Sequence, residues 1–186
     1  MRWKGVAIVC IVLLFCGCSK SNDSIADVIT LRNKILNGNG CSFSATVNAD
    51  YGEDLYTFSM DCIADKEGNV SFSVTKPYAI AGITGKVSTD SGIITFDNKI
   101  LAFQKFPDDN VSPVSSPWIF MKTLRSGYIR GCTGNNGNYQ IEIDDSYEED
   151  ALRLNIIIEK NLPVYSEIFW NGRRVISITV DNFTYL

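Results

Sequence analysis

The sequence predicts a mainly β (α+β) chain with two or three helices, built as a single curved antiparallel sheet wrapped over an N-terminal helix and a short apolar helix. Three observations predict it. From Cys41 onward apolar residues recur at every second position, in about ten segments separated by turn formers, which reads as a long meander. Before Cys41 the period is helical, and it becomes helical again only around Trp118–Leu124. With so many one-sided strands and so few helices, one sheet curved over the helices is the economical way to bury every apolar face.

The chain opens differently. Arg2 and Lys4 precede an apolar run from Val6 to Phe15, and Gly17-Cys18 follows. That is the charged start, apolar core and small-residue end of an export signal. The apolar core is shorter than the roughly 20 residues needed to cross a bilayer. A cysteine directly after the small residue looks like the lipobox of bacterial lipoproteins. Cys10 sits inside the core, and Cys16 follows the bulky Phe15, so Cys18 is the residue expected to carry lipid. The expected organisation is a lipoprotein signal peptide over residues 1–17, a lipidated tether over 18–22 and a single domain over 23–186. The expected location is a bacterial cell membrane, lipid-anchored on the extracytoplasmic face.

Removing residues 1–17 from 186 leaves 169, the size of one domain able to bury a core without staples. Losing Arg2 and Lys4 leaves 15 basic against 21 acidic residues, a net charge of −6. No basic patch stands out, so no nucleic-acid partner is expected. An acidic domain is repelled by anionic lipid, so attachment to a membrane falls to the acyl chains. The chain contains no histidine, which removes Ser-His and Cys-His nucleophile systems and histidine-bound zinc. No Gly-x-Ser-x-Gly elbow is present. No enzyme, no cofactor and no metal is expected.

After the tether, Asp23 or Ser24 can cap a helix starting near Ile25. Ile25, Val28, Ile29, Ile35 and Leu36 recur at helical spacing, and Asn37-Gly38-Asn39-Gly40 ends it. Cys41, Phe43, Ala45 and Val47 then alternate with polar residues, and so do Tyr56, Phe58, Met60 and Cys62. A two-residue loop at Tyr51-Gly52 would pair Phe43 with Met60, Ala45 with Phe58 and Val47 with Tyr56. It would also set Cys41 opposite Cys62 at a Cα separation of about 4.5 Å. A disulfide between them and two buried thiols are both open at this point.

Asp65-Lys66-Glu67-Gly68 turns the chain into Val70, Phe72 and Val74, and Pro77 closes that strand. Ala79–Ile83 is small and apolar, a short helical turn or a crossing segment. Strands are expected near Lys86–Thr89, Ile93–Asp97 and Ile100–Phe106. Pro107–Pro117 reads as an exposed loop. Ser115 or Ser116 then caps a helix carrying Trp118, Ile119, Phe120, Met121 and Leu124, apolar nearly all round, so both its sides should be covered. Strands follow near Tyr128–Cys132, Tyr139–Ile143, Leu152–Glu159, Val164–Trp170 and Val175–Phe183. Asn171-Gly172 marks a hairpin whose apolar residues match one register away from a plain two-residue loop, so a bulge or a three-residue loop at Arg173 is expected. Asp144-Asp145 with Glu148-Glu149-Asp150 lacks the ligand spacing and central glycine of a calcium loop and reads as a solvated turn. Cys132 reads as a buried thiol, with a reactive one as the alternative.

The helix followed by SFSATVNADYGEDLYTFSMDC, then KPYAIAGITGKV and the closing FWNGRRVISITVDNFTYL, resembles the lipoprotein-carrier superfamily of bacterial envelopes over the whole mature chain. This covers the periplasmic carrier and its anchored outer-membrane receptor. The resemblance implies an open half-barrel whose concave apolar face accepts acyl chains, from lipid or from another lipoprotein. In the soluble carrier an arginine early in the sheet helps latch the lid. Cys41–Asp50 contains none, so that latch does not carry over. The expected apolar site lies between Phe43, Val47, Tyr56, Phe58 and Met60 on the sheet and Trp118, Phe120 and Met121 on the helix. The alternative is a non-enzymatic envelope sensor or protein-interaction module with the same fold and a filled core.

Overall fold

The computed structural model describes residues 21–89, 91–96, 99–103 and 111–186. The signal peptide, Cys18, the start of the tether, the Asp97-Asn98 turn and most of the proline-rich loop lie outside the described residues. Among the described residues two α-helices, α1 (Ser21–Asn37) and α2 (Ser116–Ser126), accompany eleven strands. The first six are β1 (Gly40–Asp50), β2 (Leu55–Asp65), β3 (Val70–Lys76), β4 (Thr84–Val87), β5 (Gly92–Phe96) and β6 (Lys99–Phe103). After α2 come β7 (Tyr128–Asn135), β8 (Asn138–Asp144), β9 (Arg153–Glu159), β10 (Leu162–Trp170) and β11 (Arg173–Tyr185). All belong to one sheet in the order β6-β5-β4-β3-β2-β1-β11-β10-β9-β8-β7. Neighbouring strands pair antiparallel, and β6 and β7 form the two open ends. The two meanders, β1–β6 and β7–β11, are joined where the last strand returns beside the first. The expected architecture, an open half-barrel over two helices, is the observed one.

Alternation along the strands explains the core. Phe43, Ala45, Val47 and Ala49 of β1 and Phe58, Met60, Cys62 and Ala64 of β2 are buried. They share one face with Val70, Phe72 and Val74, with Ile141 and Ile143, with Leu154, Ile156 and Ile158, and with Ile176, Ile178 and Val180. Period-2 spacing puts all of them on the concave side. α2 crosses that side against β2, β3, β8 and β11, while α1 packs mainly on β7 and also touches β1 and α2. Among the described residues no helix is long and apolar enough to cross a membrane.

Three local expectations are corrected. α1 is already helical at Ser21, ahead of Ile25, and Ser24 is buried within it rather than capping it. Its carbonyl accepts a hydrogen bond from the Cys132 thiol of β7 at 3.7 Å, so docking on the sheet overrides the local capping preference. Its end falls at Asn37 as expected. Gly40 then takes φ +129°, where an added Cβ would lie 2.2 Å from the Ala64 carbonyl oxygen.

The β1–β2 loop has four residues, Tyr51–Asp54, not two. Asp50 Oδ1 accepts the Gly52 N–H at 2.8 Å and Tyr51 N–H bonds to the Asp54 carbonyl, a side-chain-assisted turn. The register therefore pairs Phe43 with Cys62, Ala45 with Met60 and Val47 with Phe58. A slip of two leaves every side chain on its own face, so the apolar match survives while each partner changes. Cys41 faces Ala64, one diagonal away from Cys62, and both cysteines are free buried thiols.

At Asn171-Gly172 the loop has two residues, both at positive φ (50° and 76°), and the bulge falls at Val175. It brings Ile168 opposite Ile176, the register that the apolar residues prefer.

Candidate functional site

The expected apolar site centres on α2. Ser115 precedes the helix and Pro117 sits in its first turn. Ser116 Oγ donates to the Pro113 carbonyl at 2.7 Å, tying the helix to the short 3₁₀ turn Pro113–Ser115 before it. Eight of its eleven residues are buried, so the expectation that both sides are covered holds. Trp118, Phe120 and Met121 are among them, as are Phe43, Val47, Phe58 and Met60 on the sheet. Tyr56 departs from the set. At 48% exposure it stands at the rim, its ring 6.2 Å from that of Tyr51.

Contact between helix and sheet is direct. The Phe43 ring meets Phe120 edge-on at 6.0 Å and stacks on Phe183 at 5.8 Å. Beside them the Cys41 thiol points at Met121 Sδ, 3.9 Å away. Burial pushes the Cys41 thiol up to about 12, against a smaller opposing pull from Arg125. The Cys62 thiol is raised as well, mainly by burial. Cys132 is half-buried and its thiol is also raised, chiefly by burial, which disfavours the reactive thiolate.

The ends of α2 are held by side chains from elsewhere. Arg32 of α1 donates from Nε to the Leu124 carbonyl at 2.9 Å and from Nη2 to the Gly127 carbonyl at 2.8 Å. These carbonyls belong to the last turn and the C-cap, where a cation also meets the negative end of the helix dipole. Arg125 Nη2 reaches the Lys66 carbonyl in the β2–β3 turn at 2.8 Å, and Lys122 pairs with Asp145 at 3.4 Å. On the approach to the helix, the Tyr51 hydroxyl donates to the Val111 carbonyl. Buried hydroxyls without a partner in the structure include Thr123 Oγ1 on α2 and Ser166 Oγ on β10.

Sequence reasoning missed Arg32, Arg125 and Tyr51. Gly127 after an apolar helix signals carbonyls in need of a donor. The donor, however, stands more than ninety positions earlier, and nothing local names it. The acidic turn is also more structured than expected. Asp144 accepts from Arg130 at 2.9 Å and Arg153 at 3.1 Å, and Asp145 Oδ1 accepts the Leu152 N–H at 2.8 Å. Among the described residues no group of three or more acidic or cysteine side chains could hold a metal ion.

No protein-family model matches the chain, and no curated protein matches it in sequence. Solved structures do. An uncharacterised conserved protein from Thermus thermophilus is 12% identical, with a TM-score of 0.48 over 85% of this chain and 86% of its own. A LolA superfamily protein from Nitrosomonas europaea is 6% identical, with a TM-score of 0.44 over 84% and 92%. A putative outer membrane lipoprotein-sorting protein domain from Vibrio parahaemolyticus is 8% identical, with a TM-score of 0.44 over 86% and 91%.

Proposed function

We propose that this chain is an extracytoplasmic lipoprotein, lipidated at Cys18 and held at a membrane by that anchor, which takes acyl chains between α2 and the concave face of the sheet. The observation that supports it is a helix buried on nearly every side, seated on the apolar face of an open sheet and secured by a few polar contacts, most of them at its ends. Such a helix is a lid. Breaking a few end contacts frees it as a unit, and the surfaces it uncovers, Phe43, Val47, Phe58 and Met60 below and Trp118, Phe120 and Met121 above, suit hydrocarbon. Tyr56 stands at the rim of the slot. The hydroxyls of Thr123 and Ser166, buried without partners, can serve the ester or carboxyl oxygens of an acylated ligand.

A second reading rests on a different observation. Phe43 touches Phe120 and Cys41 touches Met121, so in this closed arrangement the protein's own side chains fill the space. On that reading the chain is an envelope sensor or interaction module with a filled core. One variant separates the two. Met121→Cys places a sulfur one bond short of the Met121 Sδ that lies 3.9 Å from Cys41 Sγ, and a bridge closed by oxidation, checked by mass, would staple α2 to β1. The lid reading expects fluorescent fatty-acid uptake to fall at least about tenfold on oxidation and to return with reductant. Equal binding by stapled and reduced protein would remove α2 from the ligand path. If the parent protein neither binds the probe nor carries an adduct of lipid mass in native mass spectrometry, the filled-core reading stands.

A further inference from the structure

Only one side of α1 is used in folding. Ser24, Val28, Leu31 and Ile35 form the buried stripe. Ile25, Ile29 and Leu36 form a second apolar stripe, and it is 37%, 46% and 42% exposed. At about 100° per residue the two stripes lie about 110° apart around the helix, so with the first seated on the sheet the second is turned away from it. Exposed apolar residues scattered singly need no explanation, but aligned ones do.

Charge is arranged around this second stripe. Among the described side chains of α1 the charged ones are Asp27, Arg32 and Lys34, and each is engaged with the body of the protein. Asp27 accepts the Tyr139 hydroxyl at 2.6 Å, Arg32 holds the end of α2, and Lys34 Nζ lies 4.0 Å from the centre of the Tyr185 ring. The neighbours that continue the outward side, Ala26, Thr30, Asn33 and Asn37, are exposed and neutral. A protein with a mature net charge of −6 therefore presents, from Ile25 to Asn37 of one helix, an uncharged side with an apolar ridge.

What covers that ridge follows from how close the helix lies to Cys18 along the chain. Only Ser19 and Lys20 separate Cys18 from Ser21, a reach of about 10 Å at full extension. We infer that the outer side of α1, with Ile25, Ile29 and Leu36 as its ridge, lies against the surface of the membrane that carries the Cys18 anchor. The inference rests on the anchoring reading above. The acyl chains on Cys18 hold the chain at the bilayer but leave the domain free to tumble, and an apolar helix face in the interface supplies the second contact that orients it. Orienting α1 orients the domain, since α1 packs on β7 and α2 and any tilt of α1 is passed to the sheet.

The test uses the full lipidated protein in phosphatidylcholine vesicles in which part of the lipid carries bromine near the top of its acyl chains. Tryptophan is placed at Ile29→Trp, at Leu36→Trp as a second ridge position, and at Ile63→Trp on the outer face of β2 as the control. Circular dichroism confirms that each variant folds. The emission added at positions 29 and 36 should fall to about half or less on bromination, while that at 63 is unchanged. Chain that sediments with vesicles but is unquenched at 29 and 36 leaves the anchor intact and overturns the docked helix. Equal quenching at 29, 36 and 63 overturns it too, since the domain would then have no fixed orientation. Chain that fails to sediment removes the anchor and this inference with it. A concentration-dependent dimer in detergent, with blue-shifted emission from position 29, would assign the ridge to a second copy of the chain.

Discussion

The two helices under this sheet are held in opposite ways. α2 is short and buried on nearly every side, and along its length Lys122, paired with Asp145, is its one charged grip on its surroundings. The rest of its hold is at its ends, by Arg32 and by Ser116, with Arg125 reaching out from its last turn. α1 is longer and buries a single stripe, and its polar flanks do the holding: Asp27 to Tyr139 on one strand, Lys34 over Tyr185 on another. An element with so little polar side is fixed mainly where its backbone groups run out, and those few hydrogen bonds can open together. An element with polar flanks is fixed along its length and leaves its remaining side for something else. The contrast suits a lid in one case and a fixed support facing outward in the other.

The strongest attack on this contrast is at the contact beneath α2. Phe120 is fully buried and meets Phe43 edge-on, so Phe120→Ala removes a large apolar side chain from the interior. The expected loss is about 3–5 kcal/mol in urea or thermal unfolding. A loss below about 1.5 kcal/mol would mean that the surroundings close over the gap, and that the slot is loose enough to need no lid motion for entry.

Next in size is the clasp. Arg32→Ala leaves the Leu124 and Gly127 carbonyls without their donor at a site where water has poor access, and about 1–3 kcal/mol should be lost. Because the damage is local to the end of α2, amide exchange should quicken most in its last turn, including the Gly127 N–H that bonds to the Thr123 carbonyl. Exchange that quickens equally along β1 and β11 would show that the clasp stabilises the whole fold and that α2 is no separate unit. Arg32→Lys should restore only part of the effect, since one ammonium cannot reproduce two diverging N–H donors.

Most of this architecture was legible from Cys41 onward, because a half-buried strand writes its face into every second residue. The apolar helix at Trp118–Leu124 was legible for the same reason, since a helix with no polar side must be enclosed. The β1–β2 register was not. It depends on Asp50 folding its carboxylate back onto Gly52, and two candidate loops that differ by two residues satisfy the same alternation. That ambiguity also decided whether Cys41 would face Cys62. The clasps were invisible, because Arg32 and Leu124 meet through the fold and share no local pattern. On α1 the sequence gathered Ile25, Val28, Ile29, Ile35 and Leu36 into one face, and the structure divides them between two. Helical spacing shows that residues are apolar and aligned; it does not say how wide a stripe the neighbouring sheet can cover.

That division makes the smallest expected effect an informative one. Ile29 is 46% exposed and sits among neutral neighbours, so Ile29→Asn should change the stability of the protein in solution by under about 0.5 kcal/mol. If the ridge on α1 meets a membrane, the same substitution should lower affinity for lipid vesicles while leaving the unfolding transition in place. A loss of stability beyond about 1.5 kcal/mol would show instead that Ile29 is covered in solution. The two helices would then differ in degree and not in kind, with α1 a second buried element and its outer side no longer available to a membrane.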